Sequence, residues 1–261
     1  MSDEMEAEGG GPRRVGSVRH AAAILRHLEA IGIGAGVNPI ARALDISPSS
    51  CFNLLKTLAD ERLVDFDGVT KQYSLGPGAI ALGRRALDPR GSFELVRQRL
   101  EILADKHQVT ACLWRTRRGD QFTIIGYAES AAAIRIHLTV GQRLPDAAGA
   151  GGRCIMAFSG FDDAAIRRRF DAVQWGDTPD PDAYLVEVKL ARERGWAIDE
   201  GQFIKGMTTV AAPSLGQTGK VDFILTATMF TGQHPYERLQ AIARDLGGAG
   251  AWLASRLSGG V

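Results

Sequence analysis

Cysteine is scarce in these 261 residues: Cys51, Cys112 and Cys154 are odd in number, widely separated and include no C-x-x-C pair. That excludes a disulfide framework and the common zinc motifs, so buried thiols are expected. No run of about eighteen uncharged apolar residues exists, and Asp3, Glu4, Glu6 and Glu8 stand where a signal peptide would be basic. No membrane partner is expected, and the cytoplasm is the expected location. Catalytic motifs are missing as well. There is no H-E-x-x-H, no G-x-S-x-G and no Walker loop, and no carboxylates are visibly paired, so neither catalysis nor a cofactor is expected. His20 and His27 lie seven apart without acidic or thiol companions, which favours helix packing over metal. Cys154 at a helix N-terminus could be an activated thiol with His137 as its partner, but a core cysteine is the expectation.

Excess charge is also lacking, since the net formal charge is +1. Its distribution is uneven. Residues 13 to 90 carry 11 Lys and Arg against 7 Asp and Glu, a net of about +4. This suits a few phosphate contacts per subunit, with affinity gained by dimerising.

What is present is organised around residues 38 to 75. Asn38-Pro39 and Ser47-Pro48 are N-cap and first-turn proline pairs, nine residues apart. They predict a short helix over 39–44 and a second helix beginning at Pro48, joined by a tight turn. In the second helix Cys51, Leu54, Leu55 and Leu58 recur at helical spacing and form a buried stripe. Ser49, Ser50, Phe52, Asn53 and Lys56 occupy the other face. Hydroxyls can meet phosphate, Asn can read adenine, and Lys can neutralise backbone charge. Residues 63–66 and 72–75 alternate around Asp67-Gly68 as a hairpin wing, with Lys71 near its tip. Before them, Ser17 is the expected cap of a helix to about Ile31.

Gly76-Pro77-Gly78 punctuates the chain, and a helix over 79–87 ends at Asp88-Pro89. Expected domains are a disordered tail (1–15), a winged helix-turn-helix (16–76), a linker helix (77–91) and an α+β domain (92–261). In the last, Ser92 caps a helix to about His107. Period-two alternation predicts strands over 109–114, 122–127 and 133–140, the first pair joined across residues 117–120. Gly149-Ala150-Gly151-Gly152-Arg153 reads as a loop into a helix over 154–158, whose free amides suit an anion. The alternative is close packing of that helix on a sheet. Helices over 162–170 and 181–194, strands over 196–199, 207–213 and 220–230, and a closing helix over 235–257 complete the domain. In the last strand Thr226 and Thr228 share one face, opposite Phe223, Leu225, Ala227 and Met229.

Together these residues resemble the IclR-type transcriptional regulators, from Ser17 onward. The resemblance rests on SVRHAAAILRHLEAIG, PIARALDISPSSCFNLLKTLADERLV, QYSLG, VGQRLPDAAGAGGRCIMAF and RERGWAIDEGQFIKGMTTVAAP. It implies a winged helix-turn-helix that binds double-stranded operator DNA as a homodimer, often assembled to a tetramer. It also implies a GAF-like α+β domain with an antiparallel sheet that binds a small organic-acid effector. Phe52 and Asn53 stand where members often carry His and Arg. Arg153 stands where Lys is usual, Gly201-Gln202 replaces two acids, and Thr209 takes a place often held by Cys. Operator half-site and effector are therefore expected to differ from those of relatives.

The effector pocket is expected between Gly149, Ala150 and Gly151 and a sheet face bearing Asp199, Thr209, Thr226 and Thr228. Amides at the start of the Arg153 helix would hold a carboxylate, and the threonine hydroxyls would complete its hydrogen bonds. Arg153 points either outward or into the pocket, where it would favour a doubly anionic ligand. Asp199 would lie at the ligand's far end or hold a backbone group. Apolar lining from Trp114, Tyr127 or Met156 would favour an aromatic or longer acid. The rival readings are an enzymatic or metal-binding sensor on the GAF-like domain and a pure interaction module.

Overall fold

The computed structural model describes residues 15–258 other than 90, 117–119 and 133–135. The acidic tail and the turn at 117–119 thus lie outside the described residues. Contacts divide the chain into two units, Met1–Ala86 and Leu87–Val261.

The first unit holds α1 (Gly16–Ile31), α2 (Val37–Leu44), α3 (Pro48–Asp60), β1 (Val64–Asp67) and β2 (Gln72–Leu75). Helix α4 (Pro77–Leu87) follows. Ile24 and Leu28 of α1, Ile40 of α2 and Cys51, Leu55 and Leu58 of α3 meet in one core with Val64 and Tyr73 of the wing. Each fully buried Leu or Ile here contributes about 1.5–3 kcal/mol relative to exposure. Two expected caps are not used. Helix α1 begins one residue before Ser17, after Val15, and α2 begins at Val37 after Gly36, so Asn38 is inside the helix. Pro39 then sits within the first turn, where its missing N–H had no intrahelical partner to lose. What fixes this start is the wing: Ala35 and Tyr73 exchange two backbone hydrogen bonds of 2.9 and 2.8 Å, pulling the loop against β2. Ser47 does cap α3, its Oγ accepting from the Ser50 N–H at 3.2 Å.

Strands β1 and β2 pair antiparallel, Val64 with Leu75 through Asp67 with Gln72. After them the chain folds back tightly. A Cβ on Gly76 or Gly78 would lie 2.6 Å from the Arg62 carbonyl oxygen, so the punctuation read at Gly76-Pro77-Gly78 is a close backbone crossing.

In the second unit α5 (Ser92–His107) leads to β3 (Thr110–Thr116), β4 (Gln121–Glu129) and β5 (Arg143–Pro145). Then come α6 (Gly149–Ala157), α7 (Asp163–Asp171), α8 (Pro181–Arg194), β6 (Ala197–Glu200), β7 (Met207–Leu215), β8 (Val221–Phe230) and α9 (Tyr236–Ser258). The six strands form an antiparallel sheet in the order β5-β4-β3-β8-β7-β6. Alternation along the strands divides the core in two. Leu113, Val210, Leu225 and Ala227 pack with α5 and α9 on one face, and Cys112, Ile124, Ala211 and Ile224 with α6, α7 and α8 on the other. The fold is α+β, each sheet face covered by helices.

Three expectations are corrected. Ser92 is the first residue of α5 and not its cap; Gly91 precedes it, and Asp88 Oδ2 accepts the Phe93 N–H at 2.8 Å. The strand expected over 133–140 is not formed in its described part, residues 136–140. Burial still alternates there, Ile136 inward and His137 outward, but backbone bonding to β4 comes at Gly141, whose N–H donates to the Ile124 carbonyl at 2.9 Å, and Gln142, whose carbonyl accepts the Ile124 N–H at 3.0 Å. Finally, the glycines expected in a loop form the first turn of α6. Their packing explains it: a Cβ on Gly151 would meet the Phe122 ring at 3.1 Å, and one on Gly152 would lie 2.1 Å from the Ala147 carbonyl carbon.

Candidate functional site

Two surfaces concentrate chemistry, one in each unit. On α3, Ser49, Ser50, Phe52, Asn53 and Lys56 are all exposed, because the Cys51, Leu55 and Leu58 stripe commits the opposite side to the core. Their hydroxyls differ in freedom. Ser47 Oγ donates to Ser50 Oγ at 2.8 Å, so Ser50 belongs to the cap, and Ser49 Oγ shares a longer hydrogen bond of 3.3 Å with the same Ser47 Oγ. On the wing, Asp67 closes the turn: Oδ2 accepts from the Thr70 hydroxyl at 2.7 Å and Oδ1 from the Val69 N–H at 2.8 Å. These bonds, with Thr70 foremost, hold the Asp67 carboxyl below its ordinary range. Lys71 has φ 57 in this turn, and its Nζ stands 5.8 Å from the Phe66 ring centroid. Val69 at the tip is 92% exposed, and no periodic or motif signal in the sequence marks it.

The cations of this unit share one property. Arg19, Arg26, Arg42, Lys56, Arg62 and Lys71 form no ion pair among the described residues, whereas in the second unit some cations, among them Arg97, Lys106, Arg153, Arg167, Arg169, Lys189 and Arg194, are paired and others, such as Arg99 and Arg168, are not. Unpaired cations beside an exposed polar helix face can neutralise phosphate charge without first breaking an internal bond.

The second surface is a cavity of about 150 Å³ between the N-terminal turn of α6 and the sheet. It is lined by Gly149, Ala150, Gly151, Asp199, Thr209, Thr226 and Thr228, all seven of the residues expected from sequence to meet there. Because α6 begins at Gly149, the amides lacking intrahelical partners belong to this lining turn and not to Arg153. Thr209 and Thr228 are cross-strand partners with hydroxyls 3.4 Å apart, and Thr226 Oγ1 accepts the Trp114 indole N–H at 2.9 Å. Trp114 does line the cavity; Tyr127 and Met156 are not among its lining residues. Met156 is committed to the core under α6. The apolar wall comes instead from Phe122, Leu138, Phe203 and Ile204. Phe203 and Ile204 sit in the turn between β6 and β7, which carries no periodic signal in the sequence.

Arg153 points inward and is 1% exposed, yet does not line the cavity. Its Nη1 donates to Asp199 Oδ2 at 3.1 Å, its Nη2 donates to Gln202 Oε1, and its guanidinium lies 5.1 Å from the Tyr184 ring centroid. Asp199 Oδ1 accepts the Phe203 N–H at 3.1 Å, so this carboxylate faces a cation and a backbone donor. The pair cancels locally. A free cation for a second ligand carboxylate, one of the two alternatives left open for Arg153, is not what the geometry offers.

The remaining candidates from sequence separate. Cys154 is buried with its Sγ donating to the Ala211 carbonyl at 3.5 Å, and burial pushes its thiol up to about 12, while His137 is exposed against Glu129. These two do not form a nucleophile pair. Among the described residues no group of three His, Cys, Asp or Glu could hold a metal, and His20 and His27 are partly buried on α1. Among the described residues no helix is long and apolar enough to cross a membrane.

Comparison with known proteins converges on one family. Residues 17–68 match the model for the IclR helix-turn-helix domain, and residues 85–251 match that for the bacterial transcriptional regulator IclR C-terminal region. The regulator BhcR of Paracoccus denitrificans is 28% identical over 219 residues, covering 82% of this chain and 78% of its own. An IclR transcriptional regulator from Alicyclobacillus acidocaldarius superposes with a TM-score of 0.73 at 29% identity, covering 93% of this chain and 99% of its own. An IclR homologue from Microbacterium hydrocarbonoxydans, complexed with 4-hydroxybenzoate, has the same fold, with a TM-score of 0.74 at 15% identity over 92% of this chain and 98% of its own. With both of its units matched in order, the chain belongs to the IclR family of bacterial transcriptional regulators.

Proposed function

We propose that α3 and the wing bind operator DNA in a homodimer or tetramer in the cytoplasm, and that a small organic acid in the α6 cavity modulates this binding. The observation that carries the first half is the α3 face: five exposed groove-compatible side chains, with the unpaired cations Lys56 and Lys71 at its end and on the wing. Two half-sites about one helical turn apart, or a small multiple, are expected for a symmetric dimer.

The cavity supports a monocarboxylic effector. Its amides at Gly149 to Gly151 suit one carboxylate, its threonine hydroxyls add no charge, and Arg153 is already neutralised by Asp199. Walls from Trp114, Phe122 and Phe203 favour an aromatic or branched body, since only a larger ligand gains by covering them. The 4-hydroxybenzoate complex of the Microbacterium homologue is a precedent for such a ligand on this fold. No reaction is assigned, because the thiol beneath α6 is buried and its relatives are regulators.

The test starts from duplexes enriched out of a randomised pool by the full-length protein. Benzoate, 4-hydroxybenzoate and succinate are then titrated against the protein and its best duplex. The reading expects salt-dependent binding to one sequence and a shift in its affinity by a monoacid but not by succinate. Binding that ignores sequence, or equal responses to all three acids, contradicts it.

A further inference from the structure

Phe52 poses a question that the core does not answer. The stripe that packs α3 is complete with Cys51, Leu55 and Leu58, and Phe52 is neither in that cluster nor among the residues packed against it. It stands 48% exposed, between Ser49 one turn before and Lys56 one turn after, with Asn53 beside it. About half of this aromatic side chain is open to water at the centre of a polar face, which leaves apolar area for a partner to cover.

Resting on the DNA-binding reading above, we propose that Phe52 is a base reader whose ring covers the C5-methyl group of a thymine in each operator half-site. A phenyl ring has no donor or acceptor, so it can discriminate only by apolar contact. Of the four base-pair orientations in the major groove, thymine alone offers an apolar group, its methyl. The neighbouring side chains supply the rest of the register. Asn53 can pair with the N6 and N7 positions of an adenine, and Lys56 and Ser49 flank the ring by one helical turn on either side, where phosphate contacts would fix the depth of α3. Phe52 thus gives this chain a thymine preference at one position, beside the position that Asn53 reads.

The experiment uses the full-length protein and the duplex it enriches from a randomised pool. Each thymine is replaced in turn by deoxyuridine, which removes only the methyl group and leaves base pairing intact. Fluorescence anisotropy should show about a threefold to tenfold loss of affinity at one thymine per half-site, as expected for one buried methyl. In Phe52→Ala the same replacement should have no effect, and Phe52→Leu should retain part of it. Placing 5-methylcytosine·guanine at that position should bind the parent more tightly than unmethylated cytosine·guanine. Insensitivity to deoxyuridine at every position, or the same loss in parent and Phe52→Ala, overturns the assignment. So does a shift of Phe52→Ala to monomer in gel filtration, which would make the ring a contact between copies. Failure to enrich any sequence would contradict the DNA-binding reading itself, and this assignment with it.

Discussion

Arg153 and Asp199 are joined across the cavity wall, Nη1 to Oδ2 at 3.1 Å, with both side chains buried, so that α6 is tied to β6 by an ion pair out of water. Removing one partner leaves the other charge unsolvated. Asp199→Ala should therefore lower the unfolding free energy by about 3–5 kcal/mol, read as a lower urea midpoint. Arg153→Met combined with Asp199→Leu should recover most of that loss, because the desolvation cost of both charges disappears together. A double variant as unstable as Asp199→Ala would show that the pair is not the cause.

The two cavity threonines should behave differently. Thr228→Val removes a hydroxyl whose neighbour is Thr209 at 3.4 Å, and should weaken effector response while leaving operator affinity and stability near those of the parent. Thr226→Val also strips the acceptor from the buried Trp114 indole, and should cost about 1–3 kcal/mol of stability. Thermal unfolding alongside ligand calorimetry separates these outcomes. Equal ligand affinity in parent and Thr228→Val would remove that hydroxyl from the site.

Gly152→Ala is expected to be among the most damaging single-methyl additions in the second unit. The new Cβ would lie 2.1 Å from the Ala147 carbonyl carbon, which is backbone and cannot rotate away. A loss of about 1–3 kcal/mol is the ordinary cost of overpacking, and the first turn of α6 should shift with it, lowering affinity for any acid held there. Unchanged stability and ligand binding would mean that this turn is not fixed by the contact.

His107 is fully buried, its Nε2 2.7 Å from Asp245 Oδ2 and its Nδ1 without a partner. Burial lowers its pKa, with Arg238 and Lys106 adding to the effect, against the opposing pull of Asp245. Burial raises the Asp245 carboxyl, but hydrogen bonds from Lys106 and His107 outweigh this and leave it below its usual range. Both shifts have the same consequence. The folded chain binds fewer protons than the unfolded one, so stability is lost as pH falls from about 6.5 through the folded value of His107, and again through that of Asp245. In His107→Gln the upper part of this decline should vanish. Identical slopes of stability against pH between 5 and 6.5 in variant and parent would contradict the assignment.

Much of the fold is legible in the sequence because local signals and tertiary packing agree. Ser47-Pro48, the stripe from Cys51 to Leu58, Asp180-Pro181 with Gly195, and the alternation of β8 each carry their own physical cause. What escaped depends on distant partners. The start of α2 is set by the Ala35–Tyr73 bridge, and the packing of Gly151 in α6 by the Phe122 ring of β4. The 136–140 segment keeps the burial of a strand without its ladder. The cavity was legible in its polar half, since amides at a helix start and hydroxyls spaced by two are sequence patterns. Its apolar half was not: Phe203 and Ile204 enter from an irregular turn whose position only the sheet determines.

The central claim is that the exposed face of α3 meets DNA, and the salt dependence of binding tests it most directly. Anisotropy titrations of the enriched duplex at several salt concentrations should give a steep linear fall of log affinity with log salt. Lys56→Ala should flatten that slope by about 1 and weaken all sequences alike. Asn53→Ala should keep the slope but lose about 1–3 kcal/mol of discrimination at a single base position. Slopes, affinities and base preferences indistinguishable among parent, Lys56→Ala and Asn53→Ala would contradict the account.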